Sequence, residues 1–181
     1  MKKALLLLLL GGLLALVWYS THASLDPALL RQAKKEYGAQ QAKLANTRFI
    51  TIIDFRKSIC QKRLFVYDVK SQSVVLSTRV AHAFRSGLLY PTKFSNEEGS
   101  ELSCYGTFLT DKVPYTGRFG RALRVDGITA GVNTNARSRA IVFHADPGFY
   151  NFSLACFMTS KAVNERLIAM IKGRSLVVVY K

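Results

Sequence analysis

The chain has 181 residues, of which 49% are hydrophobic, 20% charged and 11% aromatic. That composition lies in the globular range and excludes a disordered or collagen-like polymer. The length suits one domain with a sizeable core, and it is too short for two ordinary domains once an amino-terminal leader is set aside. The formal net charge is +15, which indicates either a polyanionic partner or a basic face that is simply solvated.

The amino terminus has the pattern of an export signal. Two lysines precede an apolar run from Ala4 to Trp18, and small residues follow. We expect residues 1–23 to be a signal peptide that is cleaved after Ala23. The run is about 15 residues, shorter than the roughly 20 that a membrane-spanning helix needs, and an uncleaved anchor is the alternative. No cysteine follows closely enough to accept a lipid.

Export restricts the partners of the domain. Removal of Lys2 and Lys3 with the leader lowers the net charge from +15 to +13. In the periplasm or cell envelope, acidic partners would be anionic envelope polymers, lipid headgroups or the carboxylate-bearing peptides of the cell wall, and nucleic acid is excluded. The amino-terminal segment would contact the membrane only during export or as an anchor.

Past the leader, residues 24–46 suggest one amphipathic helix, with Asp26 as its cap and Pro27 in its first turn. The periodicity then changes, and seven short runs rich in β-branched and aromatic residues predict strands. These runs are 48–55, 63–69, 74–81, 106–110, 122–125, 140–144 and 176–180. The loops 84–103 and 113–120 are long enough to shape a cleft. Residues 160–172 predict a second helix, so we expect a mainly β domain over 47–181 with peripheral helices.

The chain has three cysteines, Cys60, Cys104 and Cys156. An odd count in an exported protein leaves one thiol free or paired between chains. We favour a disulfide between Cys60 and Cys104 with Cys156 free, because this pairing agrees with the chemistry below. Sequence alone allows all three pairings.

A candidate acyl-transfer pair lies between Phe143 and Phe157. His144 ends a predicted strand, and Cys156 follows twelve residues later after a turn-forming stretch. A neighbouring imidazole lowers the pKa of a thiol and stores its proton for the leaving group. Backbone N–H groups around Leu154 and Ala155 would stabilise an oxyanion, and Ser153 would orient the turn. On spacing alone this pattern is weak, since a buried structural cysteine is commoner than a nucleophile.

Ordered segments along the chain add a family resemblance that extends from about Arg48 to Tyr180. They read IDF at 53–55, RLFVYDV at 63–69, VAHAFRSG at 80–87, FSNEEGS at 94–100, YGTFLT at 105–110, YTGRFG at 115–120, LRVDG at 123–127 and NARSRAIVFH at 135–144. Together with the His-to-Cys spacing, these segments resemble the L,D-transpeptidase (YkuD-like) catalytic domain family, in its murein branch.

The resemblance implies a small β-sandwich or partly closed barrel with Cys156 as nucleophile and His144 as general base. It implies a peptidoglycan tetrapeptide stem as substrate, attacked at the carbonyl of its third, diamino acid residue with release of terminal D-Ala. An amine acceptor would give a 3,3 cross-link, and water would give an L,D-carboxypeptidase. The family needs no cofactor, and the sequence shows no zinc-type Cys/His spacing.

The turn before the nucleophile departs from the family pattern. Ala155 stands where the family has glycine, Asn151 and Phe152 replace a usual Gly and Arg, and Phe157 stands where proline is common. An L-residue costs roughly 1 kcal/mol or more if this position requires φ > 0. A second hypothesis is therefore a catalytically impaired peptidoglycan-binding envelope protein on the same fold. A third is a charge-driven adhesin in which Cys156 is disulfide-bonded.

Three more residues are substrate-binding candidates. His82, in the VAHAFRSG segment, either lines the cleft or supports a loop, and we favour support over direct catalysis. Arg137 and Arg139 precede the His144 strand, where alternation would put both on one strand face. They would bind a substrate carboxylate, and simple surface placement is the equal alternative.

Overall fold

The computed structural model describes residues 2–21, 24–148 and 152–181. Within these ranges the chain is mainly β. The helices are α1 (Lys2–Thr21), α2 (Pro27–Gln40) and α3 (Lys161–Ile171), with 3-10 turns at Gln41–Lys43 and Phe84–Ser86. The strands are β1 (Phe49–Asp54), β2 (Leu64–Asp68), β3 (Ser73–Thr78), β4 (Gly106–Thr110), β5 (Tyr115–Gly117), β6 (Gly120–Gly127), β7 (Val142–Ala145), β8 (Phe157–Thr159) and β9 (Leu176–Tyr180).

The strands form one nearly closed sheet. Its order is β3-β2-β1-β9-β4-β6-β7-β8, and β5 pairs with β6. The pairs β1–β9 and β7–β8 are parallel, whereas the other strand pairs among the described residues are antiparallel. Beyond β8, Met158 O accepts from Ala81 N at 2.8 Å and His82 O accepts from Ser153 N at 3.0 Å. The segment that follows β3 thus pairs with β8 and brings the two ends of the sheet together.

Alternation along the central strands divides the core into two layers. Ile53 of β1 faces a large cluster that includes three residues of α3, Leu167, Ile168 and Ile171. Ile50 and its neighbours on the opposite face pack against Ala33 of α2. Because both faces are covered, β1 and β9 read as nearly continuous apolar runs, as expected for buried parallel strands.

The structure confirms the predicted mainly β, barrel-like fold, and the bounds of β4 and β9 agree with the sequence prediction. The short strands β5 and β8 were not predicted. The first helix of the domain ends at Gln40, before a 3-10 turn, rather than at residue 46. The domain boundary at residue 47 and the leader stay predictions, and cleavage after Ala23 falls outside the described residues. In those residues we find no helix with the length and hydropathy that a membrane crossing requires.

The predicted disulfide between Cys60 and Cys104 is wrong, since all three cysteines are free thiols. Cys104 is 1% exposed inside the main core cluster, whereas Cys60 is on the surface. One thiol lies in the core and the other on the surface, so the sequence pairing had joined two cysteines with different environments. The adhesin hypothesis required Cys156 to be disulfide-bonded, so it is overturned as well.

Candidate active site

Cys156 ends a tight turn that leads directly into β8. Ser153 Oγ donates to the Cys156 carbonyl at 2.6 Å, which closes the turn across three residues. The backbone of Ser153 forms a parallel bridge with Ala83, so the turn is fastened to the closing edge of the sheet. Phe157 then enters the core, where its ring lies 4.9 Å from that of Phe143. The phenylalanine that replaces the usual proline is therefore a packing anchor for the turn.

Ala155 has a backbone conformation that normally requires glycine. Its φ is +100°, a region that side chains of L-residues rarely adopt. The residue is 4% exposed and belongs to the main core cluster. The turn thus keeps the geometry expected for the family's glycine, and the methyl group points into the core rather than into the cleft. Asn151, another departure from the family pattern, falls outside the described residues.

His144 lies on β7 with its tautomer set by the backbone. Its Nδ1 atom is 2.8 Å from the Ala145 carbonyl, and a carbonyl only accepts, so Nδ1 carries the proton and Nε2 keeps a lone pair. The ring stacks on Phe119 at 5.3 Å between centroids. Burial lowers the pKa of His144, and this outweighs the opposing effects of the Ala145 carbonyl and the Asp146 charge. The neutral imidazole is therefore the dominant form at neutral pH, as a general base requires.

The parallel pairing of β7 and β8 relates His144 to Cys156. His144 is the register partner of Met158, two residues after Cys156. Two residues along a strand and one strand spacing separate Cα atoms by about 8 Å, which the imidazole and thiol side chains together can span. Because Phe157 faces the core, regular alternation puts Cys156 on the same face as His144. The strand register thus puts His144 and Cys156 on neighbouring strands and on one face of the sheet, although no hydrogen bond joins their side chains.

The Cys156 thiol donates instead to the Ala140 carbonyl, with Sγ and oxygen 3.6 Å apart. Burial raises the pKa of Cys156, and the N–H of Val142 and the charge of Arg139 lower it by less. The expectation that the imidazole lowers this pKa in the resting protein is therefore wrong. The sulfur is a neutral thiol at rest, and the imidazole is the acceptor available once the thiol turns away from Ala140.

Donors for an oxyanion lie on the same turn. Among the described residues, no hydrogen bond engages the backbone N–H groups of Leu154 and Ala155. Leu154 is 70% exposed, so the outer side of the turn is open to a ligand. Unpaired backbone donors beside a nucleophile are the arrangement that stabilises a tetrahedral intermediate.

The two arginines proposed to bind a substrate carboxylate are engaged within the protein. Arg137 forms ion pairs with Asp126 and Asp111. Arg139 donates to the carbonyls of Ser95 and Leu102, both at 2.5 Å, and so holds the 94–103 loop. Residues 129–140 form turns rather than a strand, so the expectation of one shared strand face is wrong. These contacts favour structural roles over carboxylate binding.

His82 supports the closing edge of the sheet. It is fully buried, its Nδ1 accepts from Arg63 Nη2 at 2.7 Å, and its Nε2 donates to the Gly87 carbonyl at 2.8 Å. Burial lowers its pKa to about 4. Its ring also packs edge-on against Phe152, with 5.6 Å between ring centroids, beside the turn that carries Cys156. Both ring nitrogens of His82 are occupied, and its contacts fasten the loop at Gly87 to the buried Arg63.

Sequence reasoning missed two features around the site. Phe119 gave no signal beyond its place in a glycine-rich loop, yet its ring covers the imidazole of His144. Arg63 is fully buried and donates to the carbonyls of Val80 and Lys57, which its place in an apolar strand did not suggest. Among the described residues, no group of three or more His, Cys, Asp or Glu side chains is placed to hold a metal ion.

Comparisons with known proteins bear on the whole domain. The sequence profile of the L,D-transpeptidase catalytic domain matches residues 21–180. The L,D-transpeptidase from Mycobacterium smegmatis is similar in structure, with a TM-score of 0.44 and 14% identity over 74% of this chain and 59% of that one. The enzyme from Stackebrandtia nassauensis gives a TM-score of 0.47 and 10% identity over 76% of this chain and 58% of that one.

The chain thus spans less than two thirds of the length of these solved structures. The search of curated protein sequences returned no match. The profile match covers nearly all of the sequence that follows the apolar run 4–18, including the segments that carry His144 and Cys156. The chain therefore belongs to the L,D-transpeptidase catalytic domain family.

Proposed function

We propose that this protein is an exported, murein L,D-transpeptidase-like cysteine acyltransferase that acts on peptidoglycan tetrapeptide stems through a thioester on Cys156. The members of the L,D-transpeptidase family are enzymes that act on peptidoglycan stem peptides. The observation that carries the proposal is the tautomer of His144. Its Nδ1 proton is fixed on the Ala145 carbonyl, which leaves Nε2 as a base on the strand beside the nucleophile.

The reaction would begin when the thiol leaves the Ala140 carbonyl and turns toward His144. Nε2 takes the thiol proton while the sulfur attacks the carbonyl of the third residue of the stem. The oxyanion is stabilised by the free N–H groups of Leu154 and Ala155. The C–N bond to the terminal D-Ala then breaks, the imidazolium gives its proton to the departing amine, and a thioester remains on Cys156.

The acid–base properties favour proton transfer during attack over a resting ion pair. Burial raises the pKa of Cys156 and lowers that of His144, so both groups are neutral before substrate arrives. Forming thiolate and imidazolium together in a site with little water is unfavourable unless their charges stabilise each other. A concerted transfer avoids building up either charge alone.

The altered turn does not argue against catalysis. Ala155 keeps the positive φ that glycine would supply, so the backbone follows the path that presents Cys156 and its neighbouring N–H groups. Phe152 packs against His82 and Phe84, at 5.6 and 5.4 Å between ring centroids, and stabilises the loop beside the turn. The departures from the family pattern therefore affect stability more directly than chemistry.

The second candidate function is peptidoglycan binding without catalysis. The observation that favours it is the hydrogen bond from the Cys156 thiol to Ala140, because the thiol proton then lies on a carbonyl and not on the imidazole. The net charge of +15 would still attract acidic wall peptides. The two candidates differ in whether Cys156 can be acylated.

Intact-mass spectrometry after exposure to a carbapenem separates them. An acyltransferase should gain one carbapenem mass, the Cys156→Ala variant should gain none, and His144→Gln should slow the adduct about 10²-fold or more. Cys60 is the exposed thiol and provides the control, since the Cys60→Ser variant should acylate normally. An unmodified wild-type protein would exclude the enzyme and leave the binding hypothesis. Digestion of cell walls from cells with and without the protein, for 3,3-linked dimers or tripeptide stems, then tests the substrate.

A further inference from the structure

Four large apolar side chains are exposed in one short loop after β3. Phe84, Leu88, Leu89 and Tyr90 are each between 48% and 65% exposed. The ring of Phe84 lies 5.4 Å from that of the half-buried Phe152, which borders the same pocket as the two leucines. The four side chains are therefore neighbours on the surface, and we call them the 84–90 patch. An exposed apolar cluster of this kind marks a contact surface for a partner or a membrane.

The backbone beneath the patch is fixed. Gly87 has a φ of +147°, and a Cβ atom there would overlap the Tyr90 carbonyl, so this bend requires glycine. The Gly87 carbonyl accepts from the buried ring of His82 at 2.8 Å, and the Leu89 carbonyl accepts from Ile59 N at 2.8 Å. These contacts hold the apolar side chains outward, where they stay in water unless a partner covers them.

Basic side chains surround the patch. Arg79 borders the same pocket as the two leucines, and Lys93 follows the patch three residues later. Lys57 and Lys62 flank the segment that donates a hydrogen bond to the patch backbone. Among the described residues, none of these four side chains forms a hydrogen bond or an ion pair. Their charges are therefore available to an anionic partner.

Carboxylates near the patch are few. The sequence has no Asp or Glu between Asp68 and Glu97. Asp146 borders the pocket, and Glu101 is already paired with Arg85 at 3.2 Å. Four available cations against the one carboxylate of Asp146 leave the surroundings of the patch positively charged.

An apolar surface ringed by cations matches the interface of an anionic bilayer, where acyl chains meet phosphate headgroups. An acidic polymer would engage the cations and leave the apolar side chains in water. A second copy of the chain would bring like charges together. We propose that the 84–90 patch docks the folded domain on an anionic membrane surface, with its apolar side chains below the headgroups and the basic side chains among the phosphates.

Docking through the patch would keep the domain at the membrane whether or not the apolar run 4–18 is removed. It would also orient the candidate site, because Ala83 at the edge of the patch forms a bridge with Ser153 in the turn that carries Cys156. The inference goes beyond the proposed function and does not depend on it, since docking uses neither Cys156 nor His144.

An environment-sensitive fluorophore on Cys60 would report docking directly. Cys60 is exposed and borders the same pocket as Leu88 and Leu89, and Cys156→Ala removes the other partly accessible thiol. The full chain is mixed with phosphatidylcholine vesicles, with or without phosphatidylglycerol. Because the apolar run 4–18 can itself enter lipid, the emission of the label is measured rather than the bound fraction of protein. We expect a blue shift on the vesicles that contain phosphatidylglycerol and water-like emission on phosphatidylcholine alone.

A second label position provides the control for orientation. In a Cys60→Ser, Cys156→Ala protein, Val74→Cys puts the label at the end of β3 that is distant from Arg79. This label should keep water-like emission on both kinds of vesicle. A blue shift as large as that of the Cys60 label would show that the whole domain enters lipid, and it would overturn the proposal.

Substitutions within the patch test which side chains carry docking. Leu88→Ser and Leu89→Ser should each lower the ratio of docked to free Cys60 label roughly tenfold, since each removes a side chain that lipid would bury. Arg79→Gln should lower this ratio about fivefold. The matched controls Val74→Ser and Lys70→Gln change exposed residues at the other end of β3 and should leave the ratio unchanged.

Three results would contradict docking on an anionic membrane. The first is an equal blue shift of the Cys60 label on both kinds of vesicle, and the second is an unchanged ratio in the two leucine variants. The third is a blue shift without vesicles that grows with protein concentration, which would assign the patch to a second copy of the chain. Carbapenem acylation of the protein that retains Cys156 is measured separately, so failure of docking leaves the proposed function untouched.

Discussion

Replacement of Ala155 by glycine should be nearly neutral for stability, although the residue is buried. Glycine normally loses stability at a buried alanine for two reasons. It removes a methyl group from the core, worth about 0.8 kcal/mol, and it adds conformational freedom to the unfolded chain, worth about 0.4–1 kcal/mol. Ala155 differs because its φ of +100° is strained for any L-side chain.

The energy of the backbone strain at Ala155 can be obtained from the effect of Ala155→Gly on the free energy of unfolding. A non-glycine residue in a sparsely populated backbone region costs about 1–3 kcal/mol. With about 2 kcal/mol recovered and about 1.5 kcal/mol lost, Ala155→Gly should change the free energy of unfolding by less than about 1 kcal/mol. Ala136 is the matched control, because it is 0% exposed, belongs to the same core cluster and has no positive φ. Ala136→Gly should lose about 1.5 kcal/mol.

Urea unfolding of the wild type and both variants measures these differences directly. The gap between the two glycine variants isolates the strain at Ala155, and we expect it to be about 2 kcal/mol. Losses that agree within about 0.5 kcal/mol would refute the reasoning, because they would show that the turn adopts an unstrained backbone in solution. Carbapenem acylation of Ala155→Gly should stay within a few-fold of wild type, since the methyl group points into the core.

Three further predictions concern protonation and thiols. Burial lowers the pKa of His82 from 6.5 to about 4. Its contribution to the free energy of unfolding is therefore complete above pH 6.5 and declines by up to about 3 kcal/mol toward pH 4. Urea unfolding of the His82→Gln variant should lack that decline, and a variant with the same pH dependence as wild type would contradict this prediction. A thiol reagent should modify the exposed Cys60 first and Cys156 slowly. It should modify Cys104 only on unfolding, because this thiol is buried and burial raises its pKa to about 11. A count of fewer than three reactive thiols in denaturant would show that the protein contains a disulfide. The carbapenem acylation rate should be flat between about pH 6.5 and 9 and should fall in acid as His144 is protonated. A bell-shaped pH profile of this rate, with its maximum inside that range, would indicate a resting ion pair of thiolate and imidazolium instead.

The sheet could be predicted from the sequence where strands are long and buried. LVVVY at β9 and GTFLT at β4 are continuous apolar runs, and their bounds follow from composition alone. The strands β5 and β8 have three residues each, too few for a period to show. β8 also directly follows the turn that carries Cys156, so its sequence resembles the continuation of a loop.

In the candidate site, too, features set by neighbouring residues could be predicted, whereas features set by distant contacts could not. Cys156, His144 and Ser153 occupy one short segment, where local spacing and the family resemblance locate them. The shared strand face expected for Arg137 and Arg139 depended on a strand that the chain does not form. Ala140 instead has a φ of +54° and accepts the Cys156 thiol on its carbonyl, and no local pattern indicates such a turn. Contacts over 30 or more residues, such as those of Arg139 with the 94–103 loop, are likewise invisible to local periodicity.

The energetic character of the site follows from where its groups are buried. A buried thiol and a buried imidazole both favour their neutral forms, so in the proposed reaction the thiolate would form only when a substrate carbonyl is present to share the charge. The turn that carries Cys156 keeps Ala155 at a strained, positive φ, and the core contacts of Phe157 oppose relaxation of that strain.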